Sequence, residues 1–201
     1  RTLLELHWGV ARRAFGTPLD EDALWARART VSHQGADVRV PSDEDHLVLA
    51  CVHASRHGWD KLEAVVSVAT LAGREGLDWT YVASLAGRMH ARRMVQSGLD
   101  LARGLFGVSV PASLLPVRPA TLRTIVARMA SDDGPSGPGW QRLVLQLRLK
   151  DSVRDRARQC VRQLLTPSGG DREVVKLPRA LSFAYPLVRA VRLVRKYGFS
   201  N

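Results

Sequence analysis

The chain has 201 residues and carries 30 Lys and Arg against 19 Asp and Glu, a formal net charge of +11. With 45% hydrophobic and 24% charged residues it is too apolar for a disordered chain and long enough to bury a core of its own, yet no apolar run approaches the roughly 20 residues of a bilayer span. Two cysteines exclude a disulfide scaffold, so Cys51 and Cys160 are expected as reduced thiols of a cytoplasmic protein.

In chain order, Thr2-Leu3-Leu4-Glu5-Leu6-His7-Trp8 alternates at period two, with Leu4, Leu6 and Trp8 on one face and Leu3, Glu5 and His7 on the other. A short strand is expected there, and a second at Asp37-Val38-Arg39-Val40, which stops at Pro41. All else reads as helix. Asp20-Glu21-Asp22 puts acid in a first turn ahead of Leu24, Trp25 and Ala28. Ser42-Asp43-Glu44-Asp45 resembles a capping box, with Asp45 in the place usually held by Glu or Gln. The helix it opens carries Leu47, Leu49, Ala50, Val52 and His53 and ends near Gly58. A helix is predicted over 61–73, then a long one capped by Asp78 that reaches Phe106, with Gly107 just beyond its end. Pro119 suits the first turn of a segment running to Met129.

The Gly- and Pro-rich stretch 132–139 cannot continue a helix and reads as a linker. Residues 140–165 read as one amphipathic helix, with Leu143, Leu147, Val153, Ala157, Val161 and Leu164 on or near one face. A loop is expected over 166–171, and a last helix over 178–197 with a kink at Pro186.

Three clusters can carry chemistry. Glu5 and His7 share a strand face about 7 Å apart, where a carboxylate can hold Mg²⁺; the plainer alternative is the solvated side of an edge strand. His53 and His57 are four apart on a helix and share a face, with Arg56 between them. Two imidazoles there can bind a metal, but Ala54 stands where zinc proteases carry glutamate and no third ligand is evident; helix packing or capping near Gly58 is the plainer reading of the pair. The third cluster is Arg172, Lys176, Arg179, Arg189, Arg192, Arg195 and Lys196, against Glu173 alone. Such a surface attracts nucleotide, nucleic acid or anionic lipid, or is simply a solvated basic face. No Gly-rich phosphate loop and no nucleophile elbow occurs.

The order of several blocks resembles a known family. Leu4-Glu5-Leu6-His7-Trp8 comes first, then Leu24-Trp25-Ala26-Arg27-Ala28 and Val38-Arg39-Val40-Pro41-Ser42-Asp43-Glu44-Asp45. Leu49-Ala50-Cys51-Val52-His53-Ala54-Ser55-Arg56-His57-Gly58-Trp59 follows, with Leu77-Asp78-Trp79, Ala91-Arg92-Arg93 and a closing Leu187-Val188-Arg189-Ala190-Val191-Arg192-Leu193. This resembles the bacterial nucleotidyltransferase family related to the DNA polymerase β-like nucleotidyltransferases. The resemblance implies a small α/β palm followed by a helical region. A Gly-Ser loop with an Asp-x-Asp pair, and a third carboxylate from a later strand, would hold two Mg²⁺ ions and a nucleoside triphosphate. Glu5 sits where the third carboxylate is expected, with His7 as its neighbour, and His53, Arg56 and His57 become contacts for substrate or phosphate. The Gly-Ser loop with its Asp-x-Asp pair is absent from the 201 residues, and Ser67 stands where relatives tend to carry Asp. Because the chain opens on Arg1 rather than Met, the missing segment is expected upstream, and this chain alone is expected to be inactive.

The fold expected is therefore mostly α, a helical domain preceded by one or two short strands left from a nucleotidyltransferase palm. Its organisation is expected as 1–41 (palm strand and connecting helix), 42–131 (helical domain), 132–139 (linker) and 140–201 (basic C-terminal helices). The expected function is transfer of a nucleoside monophosphate from a nucleoside triphosphate to a hydroxyl acceptor, with Mg²⁺. The alternative is a non-catalytic basic module that binds nucleic acid or an acidic partner. A third reading puts 178–197 on a membrane surface.

Overall fold

Asp20 begins the first helix by accepting the Ala23 N–H at 3.0 Å, which satisfies one of the donors every helix start leaves open. The computed structural model describes residues 17–115, 125–126, 139–165, 175, 184–188 and 191. Two units divide the chain, Arg1–Ser152 and Val153–Asn201. Helix α1 spans Glu21–Ala26 and buries Leu24, while Trp25 stays exposed.

An antiparallel hairpin follows, β1 (Arg29–His33) paired with β2 (Ala36–Val40), in the register Val31↔Val38. Its turn is Gln34-Gly35, both at positive φ (51° and 81°), the backbone that matches the twist of two-residue hairpins. β2 agrees with the strand expected before Pro41. β1 corrects the sequence reading, which leaves those residues to helix: both of its faces are largely exposed, so no alternation of apolar residues betrays it. Two exposed strands are marginal alone. Arg29 ties this hairpin to Asp43 at 2.7 Å, and Arg39 donates to the Trp25 carbonyl.

Helix α2 (Asp43–His57) is the centre of the first unit. Ser42 Oγ accepts the Asp45 N–H at 3.2 Å and donates to the Asp45 carboxylate at 2.6 Å, so the expected capping pair is present. Leu47, Val48, Cys51 and Val52 are fully buried against α3 (Leu62–Ala72), α4 (Trp79–Arg88) and α5 (Arg92–Phe106). Asp78 caps α4 through the Tyr81 N–H at 2.9 Å, and Gly107 ends α5 in the left-handed conformation, φ 68°.

Two helices that read as continuous are broken. The stretch from Asp78 to Phe106 turns at Met89–Ala91: His90 takes φ 53°, and the N–H groups of Met89, His90 and Ala91 bond back to Leu85, Gly87 and Ala86. The stretch 140–165 divides into α6 (Gly139–Arg148) and α7 (Val153–Leu165). One carboxylate links the two breaks. Asp151, in the turn between α6 and α7, accepts the N–H groups of Arg92 and Arg93, each at 2.9 Å. Ala91 supplies no side-chain cap to α5, so Asp151 caps it from another part of the chain.

In the second unit, Val153 and Val161 are exposed (75% and 53%), whereas Asp155 and Gln159 are buried. The apolar stripe expected along that helix therefore faces outward at those positions. The described structure is mostly α with one short two-stranded hairpin ahead of the main bundle. No helix among the described residues is long and apolar enough to cross a membrane. Most of the segment from Pro119 to Met129, the loop 166–171 and most of the helix expected over 178–197 lie outside the described residues.

Candidate functional site

At its C-terminal end α2 stops on Gly58, φ 73°, whose N–H bonds back to Ala54 and Ser55 carbonyls. Trp59 follows at φ 56° and is fully buried. The indole packs so closely on α5 that a Cβ at Gly98 would lie 2.8 Å from its ring and 2.7 Å from Cys51 Sγ. Glycine is required there by space rather than by backbone angle. Burial pushes the Cys51 thiol up to about 12, so it does not serve as a nucleophile at neutral pH.

The last turns of the same helix carry the two imidazoles. The His53 and His57 rings lie 4.7 Å apart, centroid to centroid, tilted by 38°. Arg56 Nη2 is 2.9 Å from His57 Nε2. A guanidinium has only donors, so His57 Nε2 is the acceptor in this contact. The carbonyl of Arg56 accepts from Gln146 Nε2 of α6 at 2.6 Å, which fixes this turn from outside α2. His53 is exposed, and Arg56 and His57 are half-buried. The arrangement offers guanidinium and imidazole donors to an anion at a helix end where positive charge is favoured.

The N-terminal end of α2 is a second, unexpected cluster. Glu44 accepts from Arg27 Nη2 at 3.1 Å, and Asp43 from Arg29 Nη2 at 2.7 Å and from Arg74. Asp45, 1% exposed, accepts from Ser42 Oγ, from the Tyr81 hydroxyl at 3.1 Å and from Arg27 Nε at 3.3 Å. The Arg27 guanidinium carbon lies 3.8 Å from the Tyr81 ring centroid. Burial opposes the charge on Arg27, but Tyr81, Asp45 and Glu44 outweigh it and raise its pKa. Burial, with the nearby Asp45 carboxylate, raises that of Tyr81. Burial acts to raise Glu44, yet hydrogen bonds from backbone N–H groups and Ser42 and the charge of Arg27 bring it below its usual range.

These carboxylates bear on the expected Mg²⁺ site. Asp20/Asp22 and Asp43/Asp45 both have Asp-x-Asp spacing, but both pairs sit at or within the first turn of a helix, where Asp20 caps and Asp43 and Asp45 hold arginines. Among the described residues no group of three or more His, Cys, Asp or Glu can hold a metal ion. Glu5 and His7 lie outside the described residues, as do the seven basic residues singled out from Arg172 to Lys196. Ser67 is on the exposed face of α3, its Oγ donating to the Glu63 carbonyl at 2.9 Å. Of the predicted site residues, then, the fold brings together His53, Arg56 and His57. Sequence reasoning missed the Arg27, Arg29, Arg74 and Tyr81 partners of α2; no local signal marks them, because they lie 14 to 36 positions away.

A family model described as uncharacterised nucleotidyltransferase matches residues 1–107. That span covers α1 through α5 and ends on the glycine that stops α5. No curated protein and no solved structure matches the chain.

Proposed function

Because the chain belongs to that nucleotidyltransferase family, matched over residues 1–107, we propose that it serves the transfer of a nucleoside monophosphate from a nucleoside triphosphate to a hydroxyl acceptor, in the cytoplasm. The family match is the observation that carries this reading. In such a reaction the acceptor oxygen forms a bond to the α-phosphorus, the bond to the bridging oxygen breaks, and pyrophosphate leaves while the hydroxyl gives up its proton. Most of what a protein adds is positioning and neutralisation of charge.

His53, Arg56 and His57 are assigned here to the phosphate or substrate end. Arg56 retains donors beyond the one directed at His57, and its carbonyl is fixed by Gln146. Its fork suits two phosphate oxygens at once. Resemblance assigns a metal-binding role to Glu5, with His7 beside it. The carboxylates of the α2 terminus are engaged by arginines and do not fit a cation, so no step is routed through one here.

The test is calorimetric titration of ATP with MgCl₂ into the protein that carries this chain. The expected result is saturable binding that Arg56→Ala weakens about tenfold or more, the cost of one charge-assisted contact. Binding unchanged in Arg56→Ala removes the assignment, and no binding to the native protein removes the activity.

The net charge of +11 favours one further reading, a basic module that grips nucleic acid or an acidic partner. Oligonucleotide affinity would then fall steeply with salt. A flat salt response excludes it.

A further inference from the structure

A cavity of about 300 Å³ opens between α1, the first turn of α2 and α4. Leu19, Ala23, Leu24, Leu85 and Met89 give it an apolar wall. Its polar groups are Asp20, Asp45, Tyr81 and Arg88. Three of these are engaged within the fold. Asp20 caps α1, Asp45 accepts from Ser42, Tyr81 and Arg27, and the Tyr81 hydroxyl donates to Asp45.

Arg88 differs from its neighbours. Arg27, Arg29 and Arg74 each hold a carboxylate at this end of the bundle. Arg88 holds none among the described residues: its Nη1 donates to Ser84 Oγ at 2.7 Å, and its guanidinium carbon lies 5.4 Å from the Tyr81 ring centroid. The cavity therefore joins an apolar wall to one guanidinium with donors left over. Few polar groups over an apolar lining is the usual composition of a small-molecule site, and this volume sits at the lower end of the usual range of roughly 300–1,000 Å³.

We propose that this cavity binds a small organic acid, an apolar body carrying one carboxylate. The body packs on Leu24, Leu85 and Met89, and the carboxylate pairs with the Arg88 fork. A doubly charged phosphate monoester is disfavoured, because Asp20 and Asp45 line the same cavity and would repel the added charge. This site uses none of the residues assigned to nucleotidyl transfer and stands whether or not that reading holds.

The test titrates 4-phenylbutyrate, uncharged 4-phenyl-1-butanol and phenyl phosphate into the full chain in carboxylate-free buffer, read by backbone amide NMR. The acid is expected to shift the Leu24, Leu85 and Met89 amides saturably and to bind at least about tenfold more tightly than either competitor. Arg88→Gln is expected to erase the preference for acid over alcohol, and Ala23→Phe to block all three ligands by filling the cavity. Both residues are exposed, so both variants retain the fold, which their unchanged melting temperatures check. Equal affinity for acid and alcohol in the native protein overturns the proposal. So does tighter binding of the phosphate, a preference that survives Arg88→Gln, or the absence of saturable shifts at these amides.

Discussion

The two ends of α2 are held by different forces. At its N-terminus Asp43, Glu44 and Asp45 meet Arg27, Arg29, Arg74 and the Tyr81 hydroxyl, so charge there is structural. At its C-terminus a fully buried Trp59 locks against Gly98 and Cys51, while the last turn carries the exposed His53 and the half-buried Arg56 and His57. The backbone of the second end is secured by that packing and by the Gln146 contact to the Arg56 carbonyl. A residue's charge is a better guide to function where packing, not pairing, secures the backbone beneath it.

The largest expected effect breaks the C-terminal end. Trp59→Ala removes a fully buried indole and should cost about 3–5 kcal/mol in urea unfolding. Because the loss is one of packing, it should hardly change with salt. If high salt were to abolish the difference between variant and native protein, electrostatics would be holding this end too, and the contrast would collapse.

Asp45→Ala attacks the other end, with an expected cost of about 2–4 kcal/mol from leaving the Tyr81 hydroxyl and Ser42 without their buried acceptor. Arg27 adds less, since its side chain is 41% exposed. A double-mutant cycle with Tyr81→Phe should give a coupling of about 1 kcal/mol. Additive losses would mean that the hydroxyl and carboxylate do not support each other.

Gly98→Ala sharpens the comparison from the apolar side. Its Cβ would lie 2.7 Å from Cys51 Sγ and 2.8 Å from the Trp59 ring, so an overpacking cost of about 1–3 kcal/mol is expected. Cys51→Ala in the same chain should recover part of it by removing one of the two clashing atoms. A neutral Gly98→Ala, by melting temperature, would show that Trp59 can shift and is no fixed base.

What could be read from the sequence was local. Ser42 with Asp45, the Asp78 cap, and the stops at Gly58 and Gly107 all act within a few residues, and all are present. The pairing of His53 with His57 follows from one helical turn. The strand Arg29–His33 escaped because exposure on both faces erases its periodicity, although Gln34-Gly35 is a turn signal that points to it. The breaks at Met89–Ala91 and between Arg148 and Val153 had no such signal. Neither contains proline or glycine, and the contact that links them, Asp151 capping α5, joins positions 59 apart. The ion pairs of α2 and the Gln146 contact are distant in the same way.

Acid should erode the N-terminal end of α2. The His46 pKa is lowered below its ordinary 6.5 by desolvation and by the positive charges of Arg74 and Arg29, against the opposing pull of Asp43. The unfolded chain therefore takes up this proton first, and stability is lost as pH falls from about 7 through the folded value. The Glu44 pKa is lowered below its ordinary 4.5, so its contribution is complete above that value and is lost as pH falls further, through its own folded pKa. Both losses lie on the acid side, and stability should rise with pH across that range. His46→Ala should flatten the upper part of the profile of urea midpoint against pH, and Glu44→Gln the lower part. His46 is exposed, so its effect is the smallest of the four. Trp59→Ala and Gly98→Ala should lower the whole profile without changing its slope, because neither touches a titrating group at the N-terminal end. A slope altered by Gly98→Ala would mean that the two ends of α2 open together, and the division of labour between pairing and packing would not hold along this helix.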